Sequence, residues 1–174
     1  MAVASVPNAE AAPCLPLVIG VGNEHRRDDR SGLDVVRALR SRLEGRARIE
    51  ECTKDGIALL DLWKGADRVV VVDAVRSGAR PGTVLRLVPT DGALHGFGPT
   101  TSTHGLSLGE AVALANGLGC LPRNLVVFGI EAWDVKTGTG LSAPVAEGVV
   151  VAVARVIEEL SSSITPEPEV LLHA

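Results

Sequence analysis

Four valines in a row, Val69 to Val72, stand between Arg68 and Asp73. A strand sends successive side chains to opposite faces. Four consecutive valines therefore need apolar cover on both faces. That predicts a central strand over residues 68–74, buried between two layers of helix. The composition supports such a core: 46% of the 174 residues are hydrophobic, with two Phe, two Trp and no Tyr. A chain of this length suits one α/β domain.

The charge pattern excludes several classes of function. A net charge of −4 offers no broad basic surface for nucleic acid or anionic lipid. Scarce aromatics also argue against stacking platforms for single strands. No apolar run approaches the roughly 20 residues that cross a bilayer. Cys14, Cys52 and Cys120 are far apart and form no Cys-x-x-Cys pair, which speaks against a zinc ribbon or a disulfide framework. They read as core or surface thiols in a reducing cytosol. Residues 1–14 lack a basic start and a continuous apolar stretch, so a disordered leader is expected rather than a signal peptide. Ser161-Ser162-Ser163 and prolines at 166 and 168 mark 161–174 as a flexible tail. The single domain then spans 15–160, with the cytoplasm as the expected location.

Elements follow in order along that domain. Leu15–Val21 is a short apolar strand. Gly20 to Gly32 forms a turn, which Asp28 or Ser31 can close as the cap of the next helix. Leu33, Val36, Leu39 and Leu43 repeat at helical spacing. Arg48–Cys52 is a second strand, Asp55-Gly56 a turn and Ile57–Trp63 a short helix. After the valine strand, Arg80-Pro81-Gly82 turns into Thr83–Val88. That connection is too short for a helical crossover, so residues 83–88 are expected at an edge, antiparallel to the others. A Gly-, Thr- and Ser-rich loop then leads through His104 to a helix over 106–118. A strand over 123–130, a loop over 133–140 and a final helix from Ser142 to about Leu160 complete the chain. The result is a three-layer α/β/α sandwich around a five-stranded, mostly parallel mixed sheet. Right-handed crossovers put strand two on one side of strand one and strand three on the other. Ligands are then expected outside the carboxyl ends of strands one and three.

Three side chains can converge on that crevice: Asp29 after strand one, Asp73 at the end of strand three, and His104 before the third helix. Two carboxylates and an imidazole suit a borderline or hard divalent metal such as Zn, Ni or Mn. Structural duties are the competing reading: helix caps for Asp28 and Asp29, a local turn bond for Asp73, a partly buried polar role for His104. His25 and His95 read as surface loop residues. The Gly20-x-Gly22 turn and the acids Glu50 and Glu51 also admit a dinucleotide fold. Against it, His25 stands where the third glycine belongs, and Asp28-Asp29 put negative charge where a pyrophosphate needs helix N–H groups. There is no Walker A motif, no Gly-x-Ser-x-Gly elbow and no convincing Cys–His dyad.

Four signatures in order give the chain a relative. They are Gly20-Val21-Gly22-Asn23 with Asp28-Asp29 and Gly32; Asp73-Ala74 with Pro81-Gly82-Thr83; Ser102-Thr103-His104; and Gly129-Ile130-Glu131 with Gly140-Leu141-Ser142. Over about residues 15–160 the chain resembles the endopeptidases that mature the large subunit of nickel–iron hydrogenases. The resemblance implies a five-stranded mixed sheet with the fourth strand antiparallel. It implies removal of a C-terminal peptide from the nickel-loaded large-subunit precursor. Asp29, Asp73 and His104 are then both the metal-contacting and the catalytic set, and the nickel is carried by the substrate. No organic cofactor, nucleic acid or membrane partner is implied, and a monomer is expected. The alternative function is a non-catalytic metal- or nucleotide-binding module. One departure stands out. Glu24-His25-Arg26-Arg27 occupies positions that are largely apolar or neutral in the family. With Arg30, Arg76 and Arg80 it suggests a cationic rim that meets an acidic face of the precursor.

Overall fold

A computed structural model describes residues 15–53, 56–90, 92–94 and 106–162. Five strands and four helices are formed: β1 Leu17–Val21, α1 Ser31–Leu39, β2 Arg48–Cys52, α2 Gly56–Trp63, β3 Arg68–Val75, β4 Val84–Leu87, α3 Leu108–Gly117, β5 Asn124–Glu131 and α4 Ala143–Ser161. The sheet order is β2-β1-β3-β5-β4. β1 pairs in parallel with both β2 and β3, and β3 pairs in parallel with β5. β4 is the antiparallel edge strand on β5. The sandwich, the strand order around β1 and the edge position of residues 83–88 all agree with the sequence reading.

The valine run explains why both faces are closed. Val70 and Val72 join one core with Val35, Val36 and Leu39 of α1 and Val145, Val153 and Val156 of α4. Val69 and Val71 join the other, with Leu59 and Trp63 of α2 and Ala111, Val112 and Ala115 of α3. All four valines are essentially inaccessible to solvent. Each face of β3 thus has its own helical layer, as burial of alternate side chains requires.

Two glycines let α1 lie against this sheet at close range. A Cβ on Gly20 would stand 2.3 Å from the Gly32 carbonyl oxygen, and one on Gly32 would stand 2.4 Å from that of Val72. Either contact is too short for any side chain, so both positions need glycine. The first signature therefore records helix-to-sheet packing as well as a turn.

Several expected boundaries move. α1 ends at Leu39, and Leu43 is buried from the turns that follow rather than from the helix. Gly45, the expected helix stop, adopts φ 70° in those turns. Neither Asp28 nor Ser31 caps α1: Arg30 holds the N-cap position, without a side-chain bond. β3 runs two residues past Asp73, so this acid lies inside the strand rather than at its tip. α3 begins at Leu108. Its cap is Ser107, whose hydroxyl accepts from the Glu110 N–H while the Glu110 carboxylate accepts from the Ser107 N–H. This capping box outcompetes an earlier start, and it leaves His104 four residues ahead of the helix. The proposed leader, most of the proposed tail, Cys14, Asp55, His95 and His104 lie outside the described residues. Cys52 is buried and Cys120 exposed. Among the described residues, no helix is long and apolar enough to cross a membrane.

Candidate active site

The loop after β1 is held to its shape by its own backbone. Gly22 has φ 155°, and a Cβ there would meet the Asp29 carbonyl oxygen at 2.2 Å. That close approach lets the Asn23 N–H donate to the same Asp29 oxygen at 3.2 Å. The Asn23 side chain accepts from the His25 N–H at 2.9 Å, and the Asp29 N–H donates to the Arg26 carbonyl at 2.9 Å. The N–H groups of Asn23, His25 and Asp29 are thus bonded within the loop rather than left to a phosphate. Glu51 is equally committed: its carboxylate accepts from Arg37 and Arg40, and those bonds hold it below the usual glutamate range. Both features that suggested a dinucleotide fold have structural explanations.

The two adjacent acids separate completely. Asp28 is fully buried. Its Oδ2 accepts from the Trp133 N–H at 3.0 Å, the Asp134 N–H at 2.8 Å and the Ser142 hydroxyl at 2.9 Å, and its Oδ1 accepts from the Ser142 N–H at 2.7 Å. Burial alone would raise its pKa; the bonds from Asp134, Ser142 and Trp133 outweigh that and hold it below the ordinary value. Backbone pairs close the same seam, from Arg27 N–H to the Gly138 carbonyl and from Gly138 N–H to that of His25. Asp28 therefore locks the β1 loop to the loop between β5 and α4. It gives the fourth signature a purpose, since Ser142 is its partner.

Asp29 points elsewhere. Its side chain is 29% exposed, and its nearest cation is Arg26 at 4.0 Å. Burial raises its pKa, with Arg26 opposing. Asp73 keeps some solvent contact but lies deep among protein atoms. Desolvation, and next the charge of Asp29, push it up to about 7 against one backbone bond from Ala74 at 2.8 Å. The two carboxylates thus feel each other's charge at the carboxyl ends of β1 and β3, where the strand order reverses.

Such a pair is poorly satisfied without a proton or a cation between its members. The donor chemistry fits a divalent metal ion: two oxygen ligands, partly desolvated, repelling until a cation arrives. Among the described residues, no group of three or more His, Cys, Asp or Glu could hold a metal. The third member of the expected trio, His104, is outside them.

The described residues of the second and fourth signatures also hold the fold together, while Ser102-Thr103-His104 lies outside the described residues. Buried Glu131 accepts from Ser77 N–H, Ser77 hydroxyl and Gly78 N–H at 2.8, 2.6 and 3.0 Å. It fixes the turn that follows β3. Gly82, at φ 80°, packs its α-carbon against the Pro144 carbonyl in the first turn of α4, where a Cβ would come within 2.1 Å. The arginine cluster is also largely engaged. Arg26 Nε donates to the Val135 carbonyl at 3.1 Å, Arg27 lies 3.5 Å from Asp134, and Arg30 grips both oxygens of Asp34. Arg76 and Arg80 are exposed. Of the expected cationic rim, the three loop arginines chiefly brace the site. The bonds of Asp28 to Trp133, Asp134 and Ser142 went unforeseen; their only sequence signal is the co-occurrence of Asp28 with the distant Gly-Leu-Ser.

Fold and site together define an α/β protein with two mutually repelling carboxylates at its switch point and a glycine turn whose N–H groups bond to its own chain. A family model described as hydrogenase maturation protease (HycI) matches residues 34–159. The chain belongs to this family of endopeptidases. It is 29% identical over 175 residues to hydrogenase expression/formation protein HupD of Rhizobium leguminosarum bv. viciae, covering 95% of this chain and 86% of that one. It is 32% identical over 133 residues to HoxM of Azotobacter vinelandii, covering 74% and 64%. The fold matches the hydrogenase maturating endopeptidase HybD of Escherichia coli with TM-score 0.72 and 26% identity, covering 84% of this chain and 92% of that one.

Proposed function

We propose that this protein cuts a C-terminal peptide from the large-subunit precursor of a nickel–iron hydrogenase after nickel has been loaded, and that the substrate's nickel is the recognition signal. The observation that carries this reading is the Asp29–Asp73 pair, both acids raised above their ordinary pKa, in a hydrogenase maturation protease.

Before substrate arrives, burial and the charge of Asp29 both disfavour ionisation of Asp73, and the pair resists carrying two charges. Nickel held by the precursor supplies the missing positive charge. Binding should therefore draw the pair into its doubly ionised form and release protons. A precursor without nickel offers no such compensation. In this way desolvation of Asp73 discriminates between loaded and empty substrate. His104 is the proposed third contact. With the precursor so anchored, the scissile carbonyl lies beside a cation that stabilises developing negative charge. One of the two carboxylates accepts the proton of the attacking water. The water oxygen joins the carbonyl carbon, the C–N bond breaks, and the leaving amine takes up a proton. No organic cofactor is expected. On this reading the protein is expected to work in the cytoplasm and as a monomer.

The test is incubation with the precursor, with and without nickel, followed by intact mass. A discrete C-terminal loss only with nickel is expected. Equal cleavage without nickel would overturn nickel recognition, and no cleavage in either arm would overturn processing.

A further inference from the structure

Trp133 and Val150 are the most exposed large apolar side chains among the described residues, at 69% and 70%. Val150 lies midway along α4. Trp133 lies two residues beyond β5, at the same carboxyl edge as Asp29 and Asp73. An exposed Trp presents one of the largest apolar surfaces a side chain can offer, and partner-binding surfaces concentrate such residues.

We propose that Trp133 is the platform on which the precursor chain docks beside the scissile bond, taking an uncharged apolar side chain of that precursor. The proposal rests on the endopeptidase reading above.

Three observations carry it. First, Trp133 is held rigidly by its main chain while its side chain is left out. Its N–H and that of Asp134 donate to Asp28, the Asp134 carbonyl accepts from the Asp28 N–H at 3.0 Å, and the Ala132 N–H donates to the Val75 carbonyl at 2.9 Å. A rigid aromatic loses little entropy on binding, as anchor residues require. Second, it is near the chemistry. The Trp133 N–H reaches the Asp28 carboxylate at 3.0 Å, and Asp29 is the next residue, one Cα step of about 3.8 Å away. The Trp133 main chain thus lies against the residue that precedes Asp29. Third, the surroundings choose the occupant. The two carboxylates that border Trp133 most directly are engaged: Asp28 accepts four hydrogen bonds and Asp134 pairs with Arg27. Neither is left to draw a cationic side chain onto the indole. Half-buried Asp134 and exposed Lys136 follow Trp133 in the chain, and such charges interrupt the broad apolar face that a second copy of this chain would need.

Fluorescence offers a direct test, because the chain has two tryptophans and Trp63 is buried. In the free full-length protein, acrylamide should quench Trp133 strongly and Trp63 weakly, with Trp133→Phe identifying the accessible component. Saturating nickel-loaded precursor should shield Trp133 and shift its emission to the blue. In steady-state cleavage, Trp133→Ala should raise KM by about tenfold and leave kcat within about twofold, the pattern of lost uniform binding. Trp133→Phe should retain most of the affinity. Melting of Trp133→Ala should match the parent, since the loop is held through its backbone. An indole already inaccessible in the free protein, or one equally quenched with and without bound precursor, overturns the platform. So does unchanged KM in Trp133→Ala. A protein that shields Trp133 on binding yet never cuts counts against the endopeptidase reading alone. One that cuts without shielding counts against the platform alone, and neither cutting nor shielding overturns both.

Discussion

Asp28 and Asp29 are sequence neighbours with opposite environments. Asp28 is sealed from solvent and accepts four hydrogen bonds, which lower its pKa against the effect of burial. Asp29, one residue on, has Arg26 at 4.0 Å as its ion-pair partner among the described residues, its pKa is raised, and its charge is felt by Asp73. The difference is one of hydrogen-bond supply. Where backbone N–H groups converge, a buried carboxylate stabilises the fold. Where they do not, it is left under-compensated and ready for a cation or a proton. One loop thus builds a rigid frame and an unsatisfied pair from the same residue type.

The largest expected effect falls on the unsatisfied side. Asp29→Asn and Asp73→Asn should each lower precursor cleavage by at least about 10²-fold, the scale of a lost proton-transfer or charge-stabilising group. Both variants should remain folded by circular dichroism. Near-normal cleavage in both would remove the distinction between the two acids.

Asp28→Ala should do the reverse, striking stability first. It leaves the Trp133, Asp134 and Ser142 N–H groups without their acceptor. Urea unfolding should show a loss of about 3 kcal/mol. The effect should depend on pH in a fixed direction. Asp28 has its folded pKa below the ordinary value, so its charge stabilises the fold above about pH 4 and ceases to do so as pH falls through the folded pKa. The gap between parent and variant should narrow on acidification.

Asp73 carries the opposite sign. Its folded pKa is pushed up to about 7. Ionising it therefore destabilises the free protein progressively as pH rises from about 4 to 7, with no further change above that. Asp73→Asn should raise the melting temperature at pH 8 by a few degrees, on the order of 1–2 kcal/mol after allowing for its partial solvent contact. Near pH 4 parent and variant should melt together. A variant that destabilises at pH 8 would mean that the charged form of Asp73 is well satisfied.

The smallest effect belongs to Arg27, a non-glycine residue at φ 40°. Arg27→Gly relieves about 1 kcal/mol of left-handed backbone strain and loses an exposed pair with Asp134 worth at most about the same. Thermal melting should move by a degree or two at most, with cleavage unchanged. A large loss of cleavage would make this arginine part of the substrate surface.

Sequence alone made the sheet legible because β3 carries a pattern with one solution: Val69 to Val72 cannot be half exposed. The crossover rule then ordered β1, β2 and β3, and the short Pro-Gly connection put β4 at the edge. It also selected Asp29 and Asp73, because strand ends on either side of a reversal must face one crevice. What it missed was long-range. Nothing local distinguishes Asp28 from Asp29, and the difference is set by donors from Trp133, Asp134 and Ser142, more than 100 residues away. Helix ends were missed for a local reason: Ser107 with Glu110 makes a stronger start than Leu106. The charge of Arg26 and Arg27 suggested a surface for a partner, yet both side chains are engaged across the seam to Val135 and Asp134.

On the proposed function Asp29 and Asp73 act together on nickel carried by the substrate, while Asp28 frames them. Calorimetry in two buffers of different ionisation enthalpy separates these roles, with nickel-loaded and nickel-free precursor bound to the parent, Asp28→Asn and Asp73→Asn proteins. The parent should prefer the nickel-loaded precursor and release protons on binding it near pH 7. Asp28→Asn should keep both properties at a temperature where it is folded, and Asp73→Asn should lose both. Equal affinity of the parent for loaded and empty precursor, or the same proton release from Asp73→Asn, would overturn the joint action of the two acids on nickel.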